Sequence, residues 1–527
     1  MLNFPRCGRL LPVLFLSLFT FSAGAASFRV QCPQTTKLHS SPPTTDPNPV
    51  GGSIKCQQIS GGDGFATMGD GTQIYLFAFG PLSGIADLRN GLPGTEPASI
   101  FNQIGDSAAV GDPLITSFNG AVGLVPDPEA TTCAAPDTTT SSGCLDGHVD
   151  PRPIMDVGVM NGNEPAPTFA IDEDDEFFLT LTNVGMIMRP DLFEQHTVHF
   201  HGYPNASAFY DGVPEPSVAI NIGGSMTYYY LAPDAGTYMW HCHITPPEHL
   251  QMGMVGQVYV RPRQNRVPAG HSLYADVIAQ QSDPRTACYP QTDASHTDPD
   301  ILCSAPVPAS ANSAVHAPNL SGTPTLYAYN DGDGSTAYDV EYPIQIHGFD
   351  PSFHFVGMTF NPEPFTDMKD KYFLLNGRSY PDTITTGALQ TQSTDGAMHA
   401  SQPLPTLINI PAGGKALLRI SDLDVTEEET LASLGIPMHV VGFNAKLLRD
   451  QAGNNMDYYT NSITLGGGES LDLILDASDT TKYHPGDTYY LYSPNLDHLS
   501  NDAENFGGLM TEVHICNAVD PTTKACS

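Results

Sequence analysis

The sequence predicts an all-β protein of two β-sandwich domains with long loop insertions, and three observations lead there. Glycine and proline are abundant, 49 and 46 of 527 residues, so turn signals recur along the whole chain. Strand-like runs collect in two stretches, about 160–262 and 327–515, separated by a polar, proline-rich segment. The two stretches also look like diverged copies. Met160-Asn-Gly-Asn-Glu-Pro-Ala-Pro-Thr-Phe169 has a counterpart in Leu374-Leu-Asn-Gly-Arg-Ser-Tyr-Pro-Asp382, the segment 236–243 aligns with 487–494, and 195–202 aligns with 435–442. An internal repeat of this kind implies one sandwich used twice.

From the amino terminus, residues 1–26 read as a secretory leader. Arg6 and Arg9 precede the apolar stretch Leu10 to Phe21, and Ala23-Gly24-Ala25 offers small residues for cleavage. Residues 27–150 are polar and turn-rich, with one strand-like run at 73–79, and are expected to be an extension contributing to the first domain. The first domain is expected over 151–262, a linker over 263–322, and the second domain over 323–527. No segment reaches the roughly 20 consecutive apolar residues of a membrane span, so the protein is expected to be exported, secreted or periplasmic.

Cysteine usage agrees with export. Cys7 falls in the leader, and eight others form sequence-neighbouring couples, Cys32/Cys56, Cys133/Cys144, Cys288/Cys303 and Cys516/Cys526. Local disulfides in an oxidising compartment are the simplest reading. Cys242 is left over, between two histidines. The charge balance, 21 Lys+Arg against 57 Asp+Glu and a net −36, repels nucleic acid and anionic membranes and attracts cations.

Six of the 18 histidines lie between positions 196 and 249, around that cysteine. Side chains along a strand alternate between faces. In His196-Thr-Val-His199-Phe-His201, His199 and His201 share one face and His196 takes the other. In His241-Cys242-His243 the imidazoles share a face and the thiol takes the other. Neighbouring strands of this kind make two sites back to back. One holds His196 and Cys242, completed by His249 and Met254 downstream; the other holds His199, His201, His241 and His243. Two imidazoles, a thiolate and a weak thioether make a blue-copper electron-transfer site. The peptide bonds flanking Cys242 tie that site to the second cluster.

These motifs resemble those of the multicopper oxidases. His196-Thr-Val-His-Phe-His-Gly202 is similar to the family's HxxHxHG strand, and His241-Cys-His243 with His249 and Met254 to its HCH…H…M signature, over about 160–262 and more weakly over 325–516. The resemblance implies cupredoxin-like Greek-key sandwiches. It implies type 1 copper on His196, Cys242, His249 and Met254, a type 2 role for His199, and type 3 roles for His201, His241 and His243. Asp211 would be a carboxylate relaying protons to reduced oxygen. The chain also departs from the pattern. Five residues separate His243 from His249, where the family usually has three. The second unit has Tyr492-Ser493-Pro494 in place of the HCH triplet and keeps only His439 of the aligned histidine strand. His347, His354, His484 and His498 read as structural or loop residues.

The function expected on this resemblance is a secreted copper oxidoreductase, passing electrons from a small-molecule or metal-ion donor through type 1 copper to a polynuclear copper site that reduces dioxygen. Two alternatives stand beside it. One is a nitrite-reductase-like two-copper enzyme, because the surroundings of His439 are similar to the segment by which trimeric copper nitrite reductases lend a histidine to a neighbour. The other is a non-enzymatic blue-copper electron carrier or copper-binding protein. The first two need a facing domain, so a homo-oligomer such as a trimer is expected.

Overall fold

Strand-forming, half-buried runs separated by turn residues leave little choice but sheets, and the computed structural model is all-β with only short helices. It describes residues 29–41, 51–104, 118–126, 147–202, 207–232, 234–267, 325–359, 364–450 and 454–527. The leader, the Cys133/Cys144 and Cys288/Cys303 couples and the linker beyond residue 267 lie outside the described residues. The couples Cys32–Cys56 and Cys516–Cys526 are disulfides, and Cys242 is a free, buried thiol.

The first unit has two sheets. One runs Gln73–Pro81, Ile54–Thr67, Glu176–Gly185, Ser225–Leu231; the other runs Phe169–Asp172, Val255–Arg261, Gly236–His241, His199–Phe200. Between them lies an aromatic core in which Trp240 stacks on Phe169 at 4.5 Å and leans on Phe79 at 5.0 Å. The described parts of the region 27–150 are therefore more structured than their composition implied. Ile54–Thr67 is an inner strand of the sheet, paired parallel to Glu176–Gly185 on one side and antiparallel to Gln73–Pro81 on the other. Its run of glycine and polar residues hid it, because a strand buried on both faces shows no alternation.

The second unit repeats this topology. Tyr372–Leu375, Val340–Phe349, Lys415–Asp422 and Ser470–Asp476 reproduce the first sheet's order and its antiparallel, parallel, antiparallel sequence of pairings. Ile408–Pro411, Met510–Cys516, Thr488–Tyr492 and Glu429–Leu434 reproduce the second. The repeat holds, and so does the alignment of 236–243 with 487–494. The alignment of 195–202 with 435–442 does not. In the first unit His199 pairs with His241; the equivalent cross-strand pair is Ala432 with Tyr492. The counterpart of the histidine strand is thus Glu429–Leu434, whereas Met438–Phe443 belongs to the other sheet, next to Ser470–Asp476.

The units meet through polar contacts between the sheet carrying Gly236–His241 and the Val340–Phe349 sheet. Thr237 Oγ1 donates to Asp472 Oδ1 (2.6 Å), Ser470 Oγ donates to the Thr237 carbonyl (2.5 Å), and Gln257 Nε2 donates to the Arg419 carbonyl (2.9 Å). A buried pair, Glu164 and His347, closes another part of the seam at 2.9 Å. Gln251 bridges it as well, accepting from Asp350 N (2.9 Å) and donating to Asp370 Oδ1 (3.0 Å). Asp370 is pushed up to about 8 by burial and then by Asp424 beside it. Between the ordinary value of 3.8 and about 8 this carboxyl is protonated in the folded chain and ionised in the unfolded one. Its contribution to stability is therefore full below that window and lost as pH rises through it. Asp370→Asn is expected to flatten the fall of Tm with pH over this range, measured by thermal unfolding from acid to mildly alkaline buffer; an unchanged slope would show that Asp370 does not hold the proton.

Candidate copper sites

Two backbone features build the first site. The short strand pairing of His199–Phe200 with Trp240–His241 leaves Cys242 and His196 together on the inner side. The segment after Cys242 then forms a short helix, Pro246–Gln251, with proline at its first turn. The five-residue spacer before His249 is the approach to this helix, which turns His249 back onto the thiol. Met254 N donates to the His249 carbonyl (2.8 Å) and Cys242 N donates to the Met254 carbonyl (3.0 Å), closing the loop.

The ligand atoms of His196, Cys242 and His249 lie within 4.8 Å of one another, all fully buried. His249 Nδ1 is 3.2 Å from Cys242 Sγ, and Thr197 N donates to the sulfur at 3.4 Å. Burial alone would raise the Cys242 thiol, but the imidazoles of His249 and His196 hold it well below its usual value. His249, lowered by burial, is carried to about 9 by the thiolate and by Glu194. Burial lowers His196, and both its ring nitrogens are buried without a hydrogen-bond partner. Buried nitrogens left unpaired beside a thiolate are costly unless an ion takes them. The donor set, two nitrogens, a thiolate and the buried Met254, fits copper.

Three residues that sequence reasoning passed over shape this site. Phe77 meets the His249 ring edge-on at 5.1 Å, and Glu194 Oε2 sits 3.6 Å from His249 Nε2. Gly61 is the wall: a Cβ there would stand 2.7 Å from His196 Cδ2 and 3.4 Å from the Met254 methyl. Only the crowding of glycines at 61, 62 and 64 signalled a close approach. His249 itself is buried, with the partly exposed Glu194 beside it.

The second cluster lies on the opposite face. His199, His201 and His241 bring ligand nitrogens within 4.8 Å of one another. The His243 ring lies beside them, its centroid 5.0 Å from His199 and 5.5 Å from His241. Secondary hydrogen bonds aim two of these rings. His199 Nδ1 donates to the Asp211 carbonyl (2.7 Å), and His241 Nδ1 donates to the Cys242 carbonyl (2.7 Å), so each presents Nε2 to the cluster. The second bond also ties the cluster's imidazole directly to the thiolate residue. His201 Nε2 and His241 Nε2 meet at 3.0 Å. Burial, then the neighbouring imidazoles, lowers His201 to about 4, and burial lowers His241 to about 3. Both keep free lone pairs at neutral pH. The Asp211 carboxylate lies 3.5 Å from His199 Nδ1 and is partly exposed.

His439 is the one proposed ligand the structure does not bring here. It stands on Met438–Phe443, its Nε2 3.0 Å from Asp457 Oδ2, stacked on Tyr459 at 4.4 Å. The local match of a histidine followed by a glycine was outweighed by strand register, which puts Ala432 in the position facing the HCH equivalent.

Residues 146–265, the segment bearing both histidine groups and the cysteine, match the family model described as multicopper oxidase. Among curated proteins, the chain is 35% identical over 109 residues to "Laccase abr2" of Aspergillus fumigatus, covering 20% of this chain and 17% of that protein. It is 32% identical over 134 residues to "Multicopper oxidase MCE" of Talaromyces pinophilus, covering 25% and 20%. The match thus spans about a fifth of the length of these relatives. Among solved structures, the blue copper oxidase from Nitrosomonas europaea aligns over 87% of this chain and 85% of its own at 16% identity, with a TM-score of 0.47. The segment 146–265 is a multicopper oxidase domain.

Gly61→Ala is expected to cost about 1–3 kcal/mol of stability by overpacking and to perturb the blue absorption band. Thermal unfolding and the visible spectrum check this; wild-type values for both would mean the wall is not tight.

Proposed function

We propose that the chain is a secreted copper oxidoreductase that takes electrons singly from a small-molecule or metal-ion donor and delivers them to dioxygen. The observation that carries this reading is the gathering of His196, Cys242 and His249 on one face and His199, His201 and His241 on the other, joined through Cys242. Copper at the first site would supply one-electron acceptance and release. The residues of the chain provide the remainder. Buried walls from Phe77 and Gly61 keep the thiolate dry and its imidazoles fixed, so little rearrangement accompanies a change of charge. The covalent path from Cys242 to His241 is short, and the His241-to-carbonyl hydrogen bond adds a second connection. Asp211 orients His199 through its carbonyl and keeps a partly exposed carboxylate beside the cluster, where it would pass protons inward from solvent.

Export is supported by the two disulfides, and no helix among the described residues is long and apolar enough to cross a membrane. The set of histidines that the family draws from two domains does not fit this chain. All seven described histidines of the second unit have other partners: Glu164 for His347, the Tyr75 carbonyl for His354, Asp395 for His399, Asp457 for His439, Asp487 for His484, Glu429 for His498 and Glu512 for His514. This favours a small second centre over a full three-copper one. The chain's own second unit already faces the cluster across a shared cavity.

Cys242→Ser is expected to abolish the blue absorption and to cut donor oxidation by several orders of magnitude, read as oxygen consumption with a phenol and with ferrous ion. His439→Ala should leave copper per chain unchanged, measured by elemental analysis. Retained turnover without the thiolate would overturn the electron path.

A further inference from the structure

Opposite the second cluster lies a cavity of about 480 Å³. His201 and His241 line it from the first unit, and the 424–428 loop lines it from the second. This loop joins Lys415–Asp422 to Glu429–Leu434 and reaches solvent at Glu427 and Glu428. Its two ends are tied down by side chains from elsewhere in the second unit, His498 and Asp370.

We propose that the 424–428 loop is a pH-sensitive strap over the second cluster, clasped by His498 at one end and by Asp370 at the other, and that raising the pH loosens it. The inference rests on reading the histidine cluster as a functional centre and adds how access to it is governed. His498 and Asp370 are positioning residues, acting on the cavity only through the loop.

The geometry at His498 carries the proposal. Its ring is buried, stacked on Phe373 at 3.9 Å, and set between two carboxylates. Nδ1 lies 2.8 Å from Glu429 Oε2, and Nε2 lies 3.3 Å from Glu427 Oε2. Only the protonated imidazole has an N–H for each; the neutral ring turns a lone pair on one of them. Glu429 opens the strand behind the loop and Glu427 lines the cavity, so one proton holds the exposed part of the loop against its buried base. At the other clasp, Thr426 Oγ1 donates to Asp370 Oδ2, while Thr426 N and Glu427 N donate to Asp424 Oδ1 at 2.7 and 3.1 Å. Asp370 Oδ2 and Asp424 Oδ2 each stand 2.4 Å from where a Cβ on Gly348 would lie. A proton on either oxygen relieves two crowded carboxyl groups. The charged groups facing the clasps are Glu427 and Glu429 at His498, with Asp497 on its own turn, and Asp424 and His347 at Asp370. Lys369 and Lys371, beside Asp370 in sequence, are exposed. The directions of titration agree with the geometry. Burial lowers His498, but its hydrogen bond to Glu429 and the charges of Glu429 and Glu427 carry it above its ordinary value. Burial, then Asp424, hold Asp370 at about 8. Both clasps are therefore full in acid and are lost as pH rises through these two titrations. What remains is a loop of unneutralised acids beside an open cavity, where local opening costs less than global unfolding.

The test is amide hydrogen exchange on the full chain, read as protection factors for residues 424–429 from about pH 6 to about pH 9. Wild type should lose about tenfold in protection there across this range, while the core strand Lys415–Asp422 keeps its own. H498Q should show the low, alkaline level of protection already in acid. E427Q removes only the exposed carboxylate, so it spares the buried groups and hence folding; it should lower protection in acid and weaken the pH dependence. H484Q, an exposed histidine paired with Asp487 away from the cavity, should follow wild type. Protection of 424–429 that does not change with pH in wild type, or a wild-type profile in E427Q, would overturn the strap. Turnover plays no part in this readout. A chain that oxidises no donor but keeps the pH response would sink the proposed function and leave the strap standing.

Discussion

The antiparallel pairing of His199–Phe200 with Trp240–His241 is the constraint on which the rest depends. Only two residues long, it fixes which face each side chain of the His241-Cys242-His243 triplet takes. A slip of one residue would exchange the thiol for an imidazole on every contact. With the register held, the thiolate turns inward to a dry pocket and the imidazoles turn to the opposite face, where His241 meets the cavity. The two centres are then one residue apart by covalent bond while sitting in unlike surroundings. On the function proposed above, that difference in surroundings would let one centre act as a one-electron relay and leave the other open to the cavity.

So short a pairing is held from outside. The inner strand Ile54–Thr67 presses Gly61 against His196, and the helix Pro246–Gln251 swings His249 onto the sulfur. The second unit buttresses both. Its Asp472 and Ser470 grip Thr237 on the strand that bears the triplet, and its Asp350 and Asp370 grip Gln251 at the end of the helix. The second unit, which has Tyr492-Ser493-Pro494 where the first has the triplet, thus serves as scaffold and as the wall of the second cavity.

The repeat shows how such a division of labour arises. The two units keep the same strand order and the same parallel and antiparallel pairings, because these are set by the buried faces of the sandwich. The cross-strand pair at the histidine strand is free of that demand. There the first unit has His199 and His241 where the second has Ala432 and Tyr492. Packing preserved the frame and let the chemistry diverge.

The sequence alone determined the sorting of ligands. Alternation is a local property of a strand, so the odd cysteine with its flanking histidines announced two back-to-back sites before any fold was known, and the spacing to His249 and Met254 completed the first. The repeated sandwich was legible for the same reason, being written in neighbouring residues. What only the tertiary structure decided were the relations between distant segments. The polar strand Ile54–Thr67 carries no alternation, so its place against His196 could not be read. The histidine at 439 matched a motif by residue type but not by register, and register depends on which strands lie side by side. The acids of the 424–428 loop look like ordinary solvated surface in the sequence, and become the wall of a cavity only because the second unit folds back over the first.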